Sequence, residues 1–203
     1  MIVWSGTGRS LSVDTSVSSE QAELLLDVAE VAIRASFNGT QFPGPDLRQL
    51  PDRLQQPCGA FVTLHVDGQL NGCIGNIDTD QPLGACIARL AVQAAFEDPR
   101  LPQLKRADLH RLHIEVSLLS PHAEVAADSR AHLIEQLTPG VHGLIIASGP
   151  HRAVFLPSVW AQLPDREQFL DQLLRKAGLS TTAWPSDMRS ELFTTDSFGR
   201  QLG

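Results

Sequence analysis

Two apolar segments separated by Asp67-Gly68 place the strongest constraint on the fold of this chain. The segments are residues 61–66, Phe-Val-Thr-Leu-His-Val, and residues 70–75, Leu-Asn-Gly-Cys-Ile-Gly. Asp-Gly is favoured in tight type I′ turns, because both central residues of such a turn need a positive φ. The pattern therefore predicts an antiparallel β-hairpin, with Cys73 on or just after its return strand.

Five further segments of the chain have the periodicity or the capping and turn residues of regular structure. Between them, residues 38–59 are rich in proline and glycine and predict a long connection, and the tail after Ser180 is only weakly patterned. The predicted elements are a helix from Ser18 to about Phe37, a helix from Pro82 to Asp98, a strand from Leu112 to Ser120, a hairpin around Gly149-Pro150 and a helix between Asp165 and Gly178.

Hairpins interspersed with helices predict an α+β fold, with a largely antiparallel sheet flanked by helices rather than a doubly wound parallel sheet. A chain of 203 residues can form one cooperative unit, and two packed lobes of one domain are an open alternative. Residues 1–17, rich in Ser, Thr and Gly, predict a flexible N-terminal arm. Residues 18–203 are then expected to form a single domain.

Charge and composition exclude several classes of function. A formal net charge of −7 gives no basic surface for nucleic acid. The sequence lacks an apolar stretch long enough to span a membrane and a basic-then-apolar leader, so we expect a cytoplasmic protein. The three cysteines, Cys58, Cys73 and Cys86, lack zinc-site spacing and predict reduced thiols without a metal.

Several sequence blocks, occurring in the same order, resemble the AMMECR domain family. The resemblance extends from about Glu20 into the C-terminal region, and it departs from the family pattern at Asn71, where the family usually has arginine. The blocks are Gly-Cys-Ile-Gly at residues 72–75, residues 95–102, Ile-Glu-Val-Ser within residues 114–121, residues 140–146, Leu-Pro within residues 155–159 and the helix at residues 169–179.

The resemblance implies an α+β fold with a larger and a smaller lobe around a cleft. It also implies an association with Memo-like proteins and radical S-adenosylmethionine proteins, as a component of the AmmeMemoRadiSam set. We expect a small molecule to bind in the cleft around Gly-Cys-Ile-Gly, with the chain acting as an enzyme component. The alternative is a non-catalytic partner or scaffold for those proteins. Neither a cofactor nor a reaction follows from the resemblance.

Cys73 is the first candidate catalytic residue. The neighbouring Gly72 and Gly75 would let a ligand approach its sulfur, which favours a thiol nucleophile, although a small buried cysteine beside a bulge explains the same residues. A nucleophile would need a base, and His65 on the opposing strand is the nearest in sequence. Asn71 is expected to bind ligand together with the two glycines, but its neutral amide lacks the charge of the family's arginine.

Glu115 is the second candidate catalytic residue. Alternation along its strand places His113, Glu115 and Ser117 on one face, where Glu115 could act as an acid or base and Ser117 could bind ligand. A solvated face, or an ion pair of Glu115 with arginine, is the competing interpretation. Asp98 and Arg100, on either side of Pro99, are expected either to bind ligand or to clamp the turn.

Overall fold

The structure is a computed structural model that describes residues 17–40, 42 and 44–203. Apart from Val17, the predicted N-terminal arm lies outside these residues. The described residues form two four-stranded antiparallel sheets with helices, which confirms the predicted α+β class. None of the helices in the described ranges is long and apolar enough to cross a membrane.

In the described residues, eight strands form the two sheets, and five α-helices accompany them. The first sheet has the strand order β2-β1-β3-β8, and the second has the order β4-β7-β5-β6. The helices are α1 Ser19–Phe37, α2 Asp52–Gln55, α3 Leu83–Phe96, α4 Arg130–Gln136 and α5 Arg166–Ala177. The strands are β1 Ala60–Val66, β2 Gln69–Asn76, β3 Leu112–Leu119, β4 Ala123–Val125, β5 Gly143–Ser148, β6 His151–Phe155, β7 Arg189–Phe193 and β8 Thr195–Gln201.

Helices α1 and α3 cover one face of the first sheet. The predicted capping box starts α1, where the Ser18 hydroxyl accepts from the Gln21 backbone N–H at 3.2 Å and the Gln21 side chain accepts from the Ser18 N–H at 3.0 Å. The apolar sides of both helices bury against the inward residues of β1 and β3. This core includes Leu25, Ile33, Val62, Leu64, Ile87, Leu90, Ile114 and Val116.

The predicted hairpin forms with β1 and β2 as its strands. Asp67 and Gly68 both have positive φ, 50° and 76°, as a type I′ turn requires. Along the hairpin, Gly72 lies opposite Leu64 while Leu70 lies opposite His65, so Asn71 is the extra residue of a β-bulge. A bulge redirects the side chains beside it. The bulge falls at the start of the Gly-Cys-Ile-Gly segment.

A second hydrophobic core lies between α5 and the second sheet. The Asp165 side chain caps α5 by accepting from the Gln168 N–H at 2.9 Å, and Gly178 ends the helix with a φ of 74°. Phe169 on this helix stacks on Trp160, with ring centroids 3.7 Å apart. The helix from Asp165 to Gly178 is thus confirmed.

Two parts of the chain differ from the sequence expectation. The connection at residues 38–59 contains a short 3₁₀ turn, Leu47–Gln49, and the single-turn helix α2 after Pro51. The weakly patterned tail forms β7 in the second sheet and β8 at the edge of the first. Both strands depend on partners far away in sequence, which local periodicity does not reveal.

The chain crosses between the two sheets after β3 and again after β7, and the crossings are hydrogen-bonded to each other. The Ser120 N–H donates to the Thr194 carbonyl oxygen at 2.9 Å, and the Thr194 N–H donates to the Ser120 hydroxyl at 2.9 Å. A small apolar cluster beside them includes Leu119, Ile145 and Phe193. These contacts hold the sheets together.

Gly72→Ala should destabilise the fold. A Cβ at this position would lie 1.9 Å from the Ala94 carbonyl oxygen of α3, so β2 and the helix would have to separate. Forced overpacking of this kind typically costs about 2 kcal/mol or more. Urea unfolding measures the loss. The control is Leu70→Ala on the same strand, whose side chain is 47% exposed and should matter little. Equal stabilities of the two variants would contradict the close approach.

Candidate ligand site

The face of the first sheet away from α1 and α3 carries the sequence-predicted Cys73. Strand register places Cys73, Thr63, Glu115 and Gly199 in one row across β2, β1, β3 and β8. The neighbouring positions Val62, Leu64 and Ile114 point into the helix-covered core. Because side chains alternate along a strand, the row faces the opposite side.

The backbone of Cys73 is held by side chains instead of by a further strand. Strand β2 is an edge of the first sheet, so its outward N–H and C=O groups have no strand partner. The Cys73 N–H donates to Asp98 Oδ2 at 3.0 Å, and Arg100 Nη2 donates to the Cys73 carbonyl oxygen at 2.8 Å. The thiol sulfur accepts from the Thr63 hydroxyl at 3.4 Å.

Asp98 and Arg100 form a two-point ion pair. Arg100 Nε donates to Asp98 Oδ1 at 2.9 Å and Nη2 donates to Oδ2 at 2.7 Å. Asp98 is only 6% exposed, and the hydrogen bonds from Arg100 hold its pKa well below the ordinary range, against the opposing effect of burial. The same hydrogen bonds raise the pKa of Arg100. Such charge-assisted, bidentate contacts fix the turn that carries both residues.

The structure does not place Glu115 or Ser117 in contact with the Cys73 thiol. Strand β1 lies between Cys73 and Glu115, so their Cα atoms are roughly 10 Å apart, two strand spacings. Ser117 is buried, and its hydroxyl is 2.8 Å from the hydroxyl of Ser197. His65 pairs across the sheet with His113, and the hydrogen bond to the sulfur comes from Thr63.

Gly75 lines a shallow cavity of about 380 Å³, broadly open to solvent, between the two sheets, together with Phe61 from the first sheet and Val154 from the second. The remaining lining residues are Asn76, Ile77, Asp78 and Arg152, and Arg152 pairs with Asp78 at 3.0 Å. Gly75 and Cys73 are on the same face of β2, because they are two positions apart along the strand. The cavity therefore lies beside the Cys73 row.

Gly72 and Asn71 are placed differently from Cys73. Gly72 packs against the Ala94 carbonyl of α3, on the other side of β2 from the thiol, and its lack of a side chain serves that packing. The Asn71 side chain donates from Nδ2 to the Pro102 carbonyl at 3.4 Å, while its Oδ1 is buried without a hydrogen-bond partner. The bulge residue thus reaches toward the loop that carries Arg100.

Lys176 is a neighbour of this site that sequence reasoning missed. It lies in the last turn of α5, where its ammonium donates to the Val154 carbonyl at 3.0 Å and lies 5.1 Å from the centre of the Phe155 ring. Burial lowers the pKa of Lys176, the charge of Arg100 lowers it further, and Cys73 acts in the opposite direction. One signal was available, since the chain contains only two lysines among its 16 basic residues.

Other reactive groups are not assembled near the thiol. Cys58 and Cys86 are buried free cysteines, and Cys73 is the partly exposed one of the three. Burial raises the pKa of Cys86, while nearby Arg89 opposes this effect. Within the described part of the chain, no group of three or more His, Cys, Asp or Glu residues could hold a metal ion.

Comparisons with known proteins agree with this fold. The crystal structure of an uncharacterized protein from Pyrococcus horikoshii superposes with a TM-score of 0.82 at 29% identity, over 92% of this chain and 94% of the other. The two-sheet α+β architecture is therefore shared with a solved archaeal protein.

Sequence relatives define the family. A protein of Methanothermobacter thermautotrophicus is 36% identical over 80% of this chain and 85% of its own length. A protein of Nanoarchaeum equitans is 31% identical over 83% of this chain and 93% of its own length. The AMMECR1 family model matches residues 26–198. The chain belongs to the AMMECR1 family, whose biochemical function is uncharacterised.

Asp98→Asn should lower stability and change its dependence on pH. Because folding lowers the pKa of Asp98, its contribution is fully present above the unfolded value of about 3.9 and is lost as pH falls toward the folded value. Loss of the charged hydrogen bonds should cost about 2 kcal/mol at pH 7. Urea unfolding at pH 7 and at lower pH measures both effects.

The difference in unfolding free energy between wild type and Asp98→Asn should therefore shrink once the pH falls below about 4. Asp80→Asn provides the control, because Asp80 is exposed. A difference that stayed constant with pH would show that Asp98 does not contribute through its charge.

Proposed function

We propose that this AMMECR1-family protein binds a small molecule between its two sheets, beside Cys73, and acts as a component of an enzyme system. The observation that supports this most is the way in which the backbone of Cys73 is held and its thiol is left partly exposed. Asp98 and Arg100 immobilise its backbone on one side, while its partly exposed thiol faces the side of the sheet that carries the cavity. Functional groups need such rigid support to hold a ligand in one geometry.

The lining of the cavity also favours a ligand. It combines an apolar surface, provided by Phe61 and Val154, with the charged Asp78 and Arg152. Small-molecule sites are concave, largely apolar and carry a few polar groups that fix orientation. Both sheets contribute residues, and sites between structural units are common. We also propose a cytoplasmic location, which the three free cysteines support.

The alternative function is a partner or scaffold for Memo-like and radical S-adenosylmethionine proteins. One observation favours it, because the hydrogen-bond partner of the Cys73 thiol is the Thr63 hydroxyl and not a base. Size-exclusion chromatography of the chain mixed with each protein class tests this function. A stable complex that forms equally well with Cys73→Ser would favour the scaffold role over the ligand site.

Alkylation of Cys73 provides a direct test of the ligand site. In the native protein Cys73 should react with iodoacetamide at least about 10-fold faster than Cys58 and Cys86, because those two thiols are buried. Small-molecule extracts from cells, fractionated by size and charge, should contain a compound that slows this reaction. Mass spectrometry of each cysteine-containing peptide gives the three rates separately.

The two buried cysteines are internal controls, because a compound that merely stabilises the fold should slow all three reactions. Native mass spectrometry of the protected protein then identifies the ligand by its mass. Glu115→Gln tests whether the carboxylate two strands away contributes to binding. If no fraction protects Cys73 while the protein remains folded, the proposed ligand site is wrong.

A further inference from the structure

Lys176 lies in the helix of the second sheet, but its ammonium is near enough to Arg100 and Cys73 of the first sheet for their charges to act on it. The ammonium donates to the Val154 carbonyl, and Val154 lines the same cavity as Gly75. The ammonium lies over the Phe155 ring, 5.1 Å from the ring centre, in a cation–π contact. The amine is thus held against β6, on a residue that lines the cavity, instead of extending freely into solvent.

The charge of Lys176 is not neutralised by the protein. In the ranges that the structure describes, no carboxylate lies within ion-pair distance of its ammonium, although seven arginines there have one. Arg100, the other cation of the site, is paired with Asp98. The Arg100–Asp98 pair sums to zero charge, so among these three residues one net positive charge remains, that of Lys176.

Arg100 also retains unused hydrogen-bonding capacity. Its Nε and Nη2 atoms donate to Asp98 and to the Cys73 carbonyl, while among the described contacts Nη1 has no acceptor. The Arg100 side chain is 63% exposed, so Nη1 is accessible to a ligand. A guanidinium held in place on one edge is well suited to donate from the other edge to an anion.

We propose that Lys176 and the free Nη1 of Arg100 together bind an anionic group, a carboxylate or a phosphate, of the small molecule that occupies the site beside Cys73. This inference rests on the proposed function and adds the chemical class of the ligand. It also assigns a binding role to a residue of the second sheet, so that the complete site requires both sheets.

The electrostatics of Lys176 fit this role. Burial and the nearby Arg100 both lower its pKa, which means that the surrounding protein disfavours the charged amine relative to water. An anion placed between the two cations would favour the charged form and raise the pKa of Lys176. Lysine provides a compact charge with three rotatable donors, which suits either a carboxylate or a phosphate.

The scarcity of lysine makes a specific experiment possible. Reductive methylation with ¹³C-formaldehyde labels both lysines, Lys105 and Lys176, and keeps their charge. The labelled protein is titrated with sodium phosphate, and separately with sodium acetate, against sodium chloride at equal ionic strength. The Lys176 resonance should move saturably with at least one of the two anions, and the exposed Lys105 should not respond.

A pH titration of the same sample provides a second readout. The midpoint for Lys176 should lie below that for Lys105 and should rise when the effective anion is present, because binding and protonation are linked. A response to phosphate alone assigns a phosphate-bearing ligand, and a response to acetate alone assigns a carboxylate. Parallel movement of both lysine resonances, or no movement of either, would overturn the inference.

Lys176→Met keeps the apolar stem and removes the charge. It should bind the effective anion at least about tenfold more weakly, measured by the thermal midpoint relative to chloride. Lys105→Met is the matched control and should retain the full shift, which corrects for general stabilisation by phosphate. Equal shifts in the two variants would refute the role of Lys176.

Failure of the anion proposal can be distinguished from failure of the ligand site itself. If a compound from cell extracts protects Cys73 from alkylation equally well in wild type and in Lys176→Met, the ligand site stands and the anionic class is wrong. If Lys176 responds to anions but no compound protects Cys73, the anion site is real and its connection to the thiol is wrong.

Discussion

The placement of the whole candidate site depends on the paired crossings at Ser120 and Thr194. Each sheet has its own hydrophobic core, and the chain passes between them at these two points. Because the crossings are hydrogen-bonded to each other, they act as one joint instead of two independent linkers. The apolar cluster around Phe193 packs against this joint. The position of Lys176 relative to Cys73 follows from it, since the two residues belong to different sheets.

Within the first sheet, α3 and the turn after it determine the surroundings of Cys73. The helix approaches β2 so closely that only glycine fits at position 72, which fixes the distance between them. Two residues beyond the end of the helix, Asp98 emerges beside the outer edge of β2 and binds the Cys73 N–H. Proline follows, which limits the turn and directs Arg100 back to the Cys73 carbonyl. Helix α3 thus packs against one face of β2, and the turn that follows it supplies Asp98 and Arg100, which cover the edge of the strand.

The local parts of this arrangement could be predicted from the sequence, and the long-range parts could not. The Asp67-Gly68 turn and the caps at Ser18 and Asp165 depend on neighbouring residues, so their signals are local. The sequence identifies Cys73, Asp98 and Arg100 as candidates. Their mutual contacts depend on β2 being an edge strand, which the sequence does not reveal. Strands β7 and β8 pair with distant partners. Lys176 was missed because it lies in the predicted apolar helix, where nothing in the periodicity relates it to the hairpin.

The charges around Cys73 fit the recognition of an anion better than a thiol–imidazole enzyme. The sulfur receives its hydrogen bond from Thr63, a neutral donor that cannot act as a base at neutral pH. Glu115, the other candidate for proton transfer, is separated from the sulfur by a strand. Arg100 binds the Cys73 carbonyl, and Lys176 is a nearby cation from α5, while the neutral Asn71 stands where the family pattern usually has an arginine. In this chain the two cations therefore come from different parts of the fold, Arg100 from the turn after α3 and Lys176 from α5, so an anion bound by both would require both sheets.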